Sequence, residues 1–142
     1  MIYRDPTHEI LKAYVNVLNG SIIWNESPVP VGTRIAHGKT EYVLIYVEDL
    51  DNMSTGDGPI YRATIAMQAV SLQDVNEGDE TPVNRIIEQI IEVISDPEMI
   101  LMNNFKCVMV MPEGITPDTE ITESSYNILR TLRMLNIIEQ KQ

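Results

Sequence analysis

Residues 32–40 come closest to a chemical motif in this chain. Their order of glycine, five residues, glycine, lysine and threonine is close to that of a phosphate-binding P-loop, whose backbone N–H groups and lysine hold phosphates. That motif has four residues between its glycines and follows a strand, whereas this stretch precedes an apolar one. We therefore interpret it as a solvated loop in which Arg34 and Lys39 supply local positive charge.

Oxygen-bearing side chains crowd the stretch from Asp49 to Asp57, which is a pattern that hard cations such as Ca²⁺ prefer. A calcium loop beginning at Asp49 needs glycine at its sixth position and glutamate at its twelfth, where Ser54 and Ile60 stand. We therefore predict an acidic hairpin tip over residues 49–59, without a metal.

The remaining reactive side chains are scattered along the sequence. His8 and His37 form no spaced ligand pair with each other or with Cys107, and no Gly-x-Ser-x-Gly elbow occurs. Acidic residues lie mainly in predicted loops, where solvated charge is the ordinary state. We predict no catalytic residue, no cofactor and no enzymatic activity, and we interpret Cys107 as a small buried hydrophobic residue.

Composition is typical of one domain over residues 1–142. The chain has 142 residues, 44% of them hydrophobic, and a formal net charge of -11, which disfavours tight binding to nucleic acid or to anionic membranes. It has neither a signal-peptide pattern nor the run of about 20 apolar residues that spans a bilayer. The single cysteine fits a reducing compartment, so we expect synthesis in the cytoplasm.

Two amphipathic helices are predicted from capping signals and from apolar spacing. Asp5 with Pro6, and Thr81 with Pro82, each pair a capping side chain with a proline in the first turn. Gly20 ends the first helix, and residues 96–97 end the second. The apolar stripes are Ile10, Ala13, Tyr14, Val17 and Leu18 in the first helix, and Val83, Ile86, Ile87, Ile90, Ile91 and Ile94 in the second.

Apolar runs predict the strands. Residues 42–47 are apolar on both faces, which is typical of a central strand that is covered on both sides, and residues 60–72 form its partner. Residues 105–111 form a third strand, followed by a loop over 112–119. Residues 26–39 read as a meandering loop after a short strand at 21–24. Periodicity leaves helix and strand open for residues 126–138.

The order of these elements resembles that of the tail terminator, or tail completion, proteins of tailed bacteriophages. The matching features are the N-terminal amphipathic helix, the strand Tyr42-Val43-Leu44-Ile45-Tyr46, an acidic hairpin tip, a long strand over 61–70 and a covering helix over 82–94. The resemblance covers nearly the whole chain and rests on layout. It implies an α+β fold, a single domain with a mainly antiparallel β-sheet flanked by two amphipathic helices, and a strand over residues 126–138.

The resemblance also implies a function. It predicts a structural protein of the virion, a homo-oligomeric ring, commonly a hexamer, that caps the tail tube and joins it to the head at the tail end or neck. Its partners are other copies of itself, the tail tube and the head-connector proteins. DNA only passes through the lumen, where negative charge keeps it from adhering, and no membrane is involved.

Within that interpretation, eight residues are candidates for interfaces. The acidic tip is expected to face the lumen or a stacked ring, the scarce arginines to pair across subunit boundaries, and a short apolar segment over 97–102 to be exposed. The alternative is a small cytoplasmic α+β ligand-binding module that uses Arg34, His37 and Lys39. The eight candidates are Asp49, Asp51 and Asp57, then Arg62, Arg130 and Arg133, and finally Met99 and Met102.

Overall fold

A five-stranded sheet with two helices on one of its faces makes up most of the described chain. The computed structural model describes residues 2–36, 38–54, 56, 58–74, 78–121 and 125–141. The helices are α1 (Thr7–Leu18) and α2 (Thr81–Val93), with a short 3₁₀ turn at Pro97–Met99. The strands are β1 (Ile23–Trp24), β2 (Ser27–Pro28), β3 (Val31–Gly32), β4 (Glu41–Asn52), β5 (Ile60–Asp74), β6 (Phe105–Ile121) and β7 (Ser125–Gln140).

The sheet has the strand order β3-β4-β5-β7-β6, and β1 and β2 form a separate small hairpin. β3 pairs with β4 in parallel, and every other neighbouring pair in the main sheet is antiparallel. The predicted α+β fold, with a mainly antiparallel sheet and two amphipathic helices, is confirmed. The strand predicted for residues 126–138 is confirmed as well, because β7 spans that range and lies between β5 and β6.

Aspartate carboxylates cap the start of both helices. Asp5 accepts hydrogen bonds from the Thr7 hydroxyl (2.6 Å) and the Thr7 N–H (2.9 Å), and these bonds lower the pKa of Asp5. Asp79 accepts a bond from the Thr81 N–H (3.0 Å), and its bonds to Thr81 lower the pKa of Asp79. The prediction that Thr81 caps α2 was therefore wrong, since Thr81 is already the first helical residue.

Both helices pack on the same face of the sheet, which we call the helix face. The stripes of α1 and α2 bury Ile10, Tyr14, Ile86 and Ile90 there. Strand side chains that point to this face complete the core, namely Val43, Ile45, Ala63, Ile65, Met67, Ala69, Leu132, Met134 and Ile138. Complete burial of an aliphatic side chain of this size stabilises the fold by about 1.5–3 kcal/mol.

The opposite face of the sheet, which we call the open face, carries no helix among the described residues. Tyr46 points there and is 37% exposed, while Tyr42 packs with Val70 and Leu129 in a small second cluster against Ala36. The prediction that residues 42–47 are covered on both sides was therefore wrong. A strand that is apolar on both faces can be half covered by neighbouring side chains without a second layer of helices.

Two predicted loops contain strand. The loop predicted over 112–119 belongs to β6, because β7 supplies partners as far as Ile121, and a bulge between Pro112 and Gly114 absorbs the irregular residues. Proline is tolerated in an edge strand or at a bulge. The loop predicted over 26–39 contains β2 and also β3, which adds a short parallel pairing to β4.

A buried polar contact ties α1 to the centre of the sheet. The Tyr14 hydroxyl donates to Asn136 Oδ1 at 2.6 Å. Asn136 Nδ2 donates in turn to the backbone carbonyls of Met134 (3.1 Å) and Ala63 (3.3 Å). Burial raises the pKa of Tyr14, so this hydroxyl stays protonated as a donor.

We expect Tyr14→Phe to lower the free energy of unfolding by about 1–2 kcal/mol, because Asn136 Oδ1 loses its hydroxyl donor inside the core. Urea unfolding followed by circular dichroism measures this change. Tyr46→Phe is the matched control, since Tyr46 is partly exposed on the open face, and should leave stability within about 0.5 kcal/mol of wild type. Equal losses for the two variants would contradict a structural role for the contact.

Candidate interaction surface

Exposed apolar side chains concentrate along the edge strand β6 and the turn before it. Of the fourteen large apolar side chains that are exposed among the described residues, seven lie between positions 99 and 121. Monomeric proteins expose scattered apolar residues, whereas a concentration of them along one element marks a candidate interaction site. We call this row the β6 edge surface; it consists of Met99, Leu101, Val108, Met109, Met111, Ile115 and Ile121.

The position of β6 in the sheet explains why this row stays uncovered. β7 pairs with one side of β6, while α2 packs mainly on β5 and β7, so neither described helix packs extensively on β6. Bulges at residues 107–109 and 112–114, together with Pro112 and Pro117, interrupt the free edge. Prolines and bulges on an edge strand hinder the addition of another strand. Contacts at this surface therefore depend on side chains more than on a continuous backbone ladder.

Leu101 dominates the end of the β6 edge surface where β6 begins. Its side chain is 79% exposed, and its backbone forms a bridge to Lys106. Beside it lies an apolar groove of about 350 Å³. Pro97, Glu98, Ile100, Leu101, Met102, Phe105, Lys106, Cys107 and Lys141 line this groove, which we call the Leu101 groove.

A carboxylate on α1 holds the turn that presents Leu101. Glu9 Oε1 accepts the N–H groups of Asn103 (2.8 Å) and Asn104 (2.9 Å), and Oε2 accepts Asn104 Nδ2 at 2.9 Å. Partial burial acts to raise the pKa of Glu9, but the bonds from Asn104 and Asn103 and the charge of Arg4 outweigh it. The pKa therefore lies below its ordinary value.

The opposite end of the β6 edge surface is acidic. Ile121 is 68% exposed there and Ile115 is also exposed, and both side chains point to the helix face beyond the reach of α2. Asp118 and Glu120 alternate with them and are exposed. This end therefore combines apolar side chains with negative charge.

On the open face, β6 contributes Met109 and Met111 opposite Ile137 and Leu135 of β7. Each methionine is exposed, and the two β7 residues are half-buried. Cross-strand neighbours of this kind form one continuous apolar area, because opposite residues on the same face lie about 5 Å apart.

Arginines that were expected to pair across subunits pair within this one. Arg62 lies 3.2 Å from Glu113, and Arg133 lies 2.6 Å from Glu48. Thr116 also accepts a bond from Arg133 at 2.9 Å. These pairs bind β4, β5, β7 and β6 together on the open face. Exposed pairs contribute little to stability, typically below about 1 kcal/mol each.

Arg130 lies apart from those pairs. It is opposite Ala69 of β5 and Pro117 of β6, so it points to the helix face, where it is partly buried. It takes no part in the three ion pairs found among the described residues. The structure therefore separates Arg130 from the other two predicted arginines.

The acidic candidates also lie elsewhere than predicted. Asp49 and Asp51 are exposed residues of β4, opposite Thr64 and Arg62, so the prediction that they belong to a hairpin tip was wrong. A bulge after Val47 lets the strand continue to Asn52. Asp57 lies outside the described residues.

The apolar candidates divide into one exposed and one buried side chain. Met99 is exposed at the end of the 3₁₀ turn, but Met102 is buried in the core, so its predicted exposure was wrong. Sequence reasoning placed Leu101 within the exposed segment without singling it out, and it missed Ile115 and Ile121. The even spacing of Ile115 and Ile121 is typical of one face of a strand, but Gly114 and Pro117 favoured a loop over that stretch.

The residues of the alternative ligand module do not converge. Lys39 lines a shallow cleft with Trp24, Asn25 and Glu41, whereas Arg34 is not part of its lining. His37 lies outside the described residues. In the part of the chain that the structure describes, no three of its histidine, cysteine and acidic side chains gather as metal ligands.

Cys107 is buried, and its burial raises the pKa of the thiol to about 11, so the thiol is neutral at ordinary pH.

Neither described helix has the length and apolar character needed to cross a bilayer.

We expect Glu9→Gln to loosen the turn that carries Leu101 and to lower the free energy of unfolding by about 1 kcal/mol at pH 7. Because the pKa of Glu9 is depressed in the folded state, its contribution is full above the unfolded pKa of about 4.5 and is lost as the pH falls through the folded value. Urea unfolding at pH 7 and pH 3 measures the effect. The gap between wild type and Glu9→Gln should narrow at pH 3, and a constant gap would contradict a role for the carboxylate charge.

Comparison with known proteins adds no relative to this description. No family model matches the chain, and no curated protein matches it at a significant level. The resemblance to tail terminator proteins therefore stays a prediction from the order of elements, and the geometry of the β6 edge surface is the basis for a function.

Proposed function

We propose that this protein is a structural virion protein that assembles as a homo-oligomeric ring of six subunits at the tail end or neck. In this role the ring caps the tail tube and joins it to the head-connector proteins. The observation that carries the proposal is the β6 edge surface, a row of seven exposed apolar side chains along one edge of the sheet.

Burial of exposed side chains in that row would offset much of the free-energy cost of association. A side chain of this size contributes about 1.5–3 kcal/mol when it goes from full exposure to burial. Seven partly exposed side chains therefore offset much of the roughly 4–15 kcal/mol that association costs in translational and rotational freedom. A protein that works through such a surface functions by assembly.

Charge is consistent with a ring that surrounds DNA. The formal net charge is -11, and Asp49 and Asp51 are exposed on β4 next to the open face of the sheet. Negative charge on a channel wall repels the duplex and limits its adhesion. We accordingly assign DNA the role of a passing molecule and not of a ligand.

We expect purified wild-type protein to form rings, detected as a defined oligomer by light scattering after size exclusion and as annular particles by negative-stain electron microscopy. The double variant Ile115→Asp/Ile121→Asp should shift the population to monomer, because two charges replace exposed apolar side chains of the β6 edge surface. Its dissociation constant should rise by at least about tenfold.

Ile23→Asp is the matched control for this experiment. Ile23 is 42% exposed, against 40% for Ile115 and 68% for Ile121, and it lies away from β6, where its backbone bonds to Gln89 of α2. The control should assemble like wild type. A wild-type protein that stays monomeric at high concentration, alone and with tail-tube protein, would contradict the proposed function.

A further inference from the structure

The two ends of the β6 edge surface differ in charge. The Leu101 groove is lined by Lys106 and Lys141, with Glu98 as its one acidic lining residue. The other end carries Asp118 and Glu120 on the open face of β6 and the exposed Ile115 and Ile121 on its helix face. The chain has ten basic and twenty-one acidic residues, so a groove lined by two lysines is more positive than the surface as a whole. The groove thus offers two ammonium groups, which segment 115–121 lacks, and that segment offers two carboxylates.

These two ends cannot meet within one subunit. They lie at opposite ends of β6, which runs from Phe105 to Ile121. Seventeen residues of strand at about 3.3 Å each span roughly 50 Å, and pairing with β7 keeps β6 extended. The Leu101 groove can therefore contact segment 115–121 only when the two belong to different copies of the chain.

We propose that the Leu101 groove of one subunit binds the β6 segment 115–121 of a second copy. This inference rests on the proposed ring and names its subunit contact. Ile115 and Ile121 of one copy pack against Leu101 of the other, and Asp118 and Glu120 lie close to Lys106 and Lys141. Such a contact joins two different patches, so each subunit keeps one free groove and one free segment, and repetition closes a ring.

A two-fold arrangement of two β6 strands is the competing geometry. If Leu101 of each copy faced Ile121 of the other in an antiparallel pair, the centre of the pair would fall at Met111 and Pro112. The proline and the bulge between Pro112 and Gly114 lie there and interrupt the edge. Head-to-tail contact through side chains avoids this interruption, because it does not need a continuous ladder.

A complementation experiment tests the contact. Leu101→Asp damages the groove alone, and Ile121→Asp damages the segment alone. Both side chains are mostly exposed, so neither change should disturb folding, which far-ultraviolet circular dichroism and urea unfolding verify. Each variant by itself should be monomeric by light scattering, with its dissociation constant raised by roughly 10–100-fold.

Mixing the two variants should restore one intact contact. The undamaged segment of Leu101→Asp fits the undamaged groove of Ile121→Asp, so the mixture should give 1:1 pairs and no larger species. Ile35→Asp is the control, because Ile35 is 58% exposed outside both surfaces, and it should assemble like wild type.

The outcomes separate this inference from the proposed function. If wild type forms rings and either single variant also forms them, the contact is wrong and the ring stands. If both variants are monomeric but their mixture yields no pairs, the contact is likewise wrong. If wild type stops at a dimer, the two-fold geometry replaces this one. If wild type stays monomeric at high concentration, alone and with tail-tube protein, the ring and its contact are both refuted.

Discussion

The pairing of β5 with β7 is the constraint on which the rest of the structure depends. It runs from Ile60 opposite Glu139 to Asp74 opposite Ser125 without a shift in register. Because side chains alternate between faces, this register places Ile65, Met67, Leu132 and Met134 together under the helices. A slip of one residue would bring Thr64 or Gln68 under them instead. The buried contact between Tyr14 and Asn136 reinforces the register, because it needs Asn136 on the helix face opposite Ala63.

Two helices are too few to cover a sheet of this width. α1 and α2 lie over β4, β5 and β7, and both helices bury wide apolar stripes there. β6, added beyond β7, gains a partner on one side only and remains partly bare on both faces. The β6 edge surface is therefore a direct result of the strand order.

Ion pairs and hydrogen bonds join the β6 edge surface to α1 and to the other strands. Glu9 anchors the turn before β6 to α1, and the pairs of Arg62 with Glu113 and Arg133 with Glu48 join the strands across the open face. Each interaction is modest alone. Together they tie the start and the middle of a long edge strand to the body of the molecule, which limits the conformational freedom that assembly must remove.

The sequence by itself determined the elements whose signals are local. Apolar residues at helical spacing identified α1 and α2, and alternation in residues 60–72 identified β5 and its two faces. These patterns depend on the period of each element, which neighbouring residues set. The resemblance in element order was needed to choose strand over helix for β7, because its apolar residues suit both periods.

Only the tertiary structure decided which surfaces stay open and which charges meet. Whether residues 112–119 form a loop or a strand depends on β7, which comes later in the chain, and the arginine partners depend on strand register. Asp79 and not Thr81 caps α2 for a similar reason, since Gln73 of β5 holds the backbone of Asp79 in place. Such outcomes come from residues distant in sequence, whereas composition and spacing describe only near neighbours.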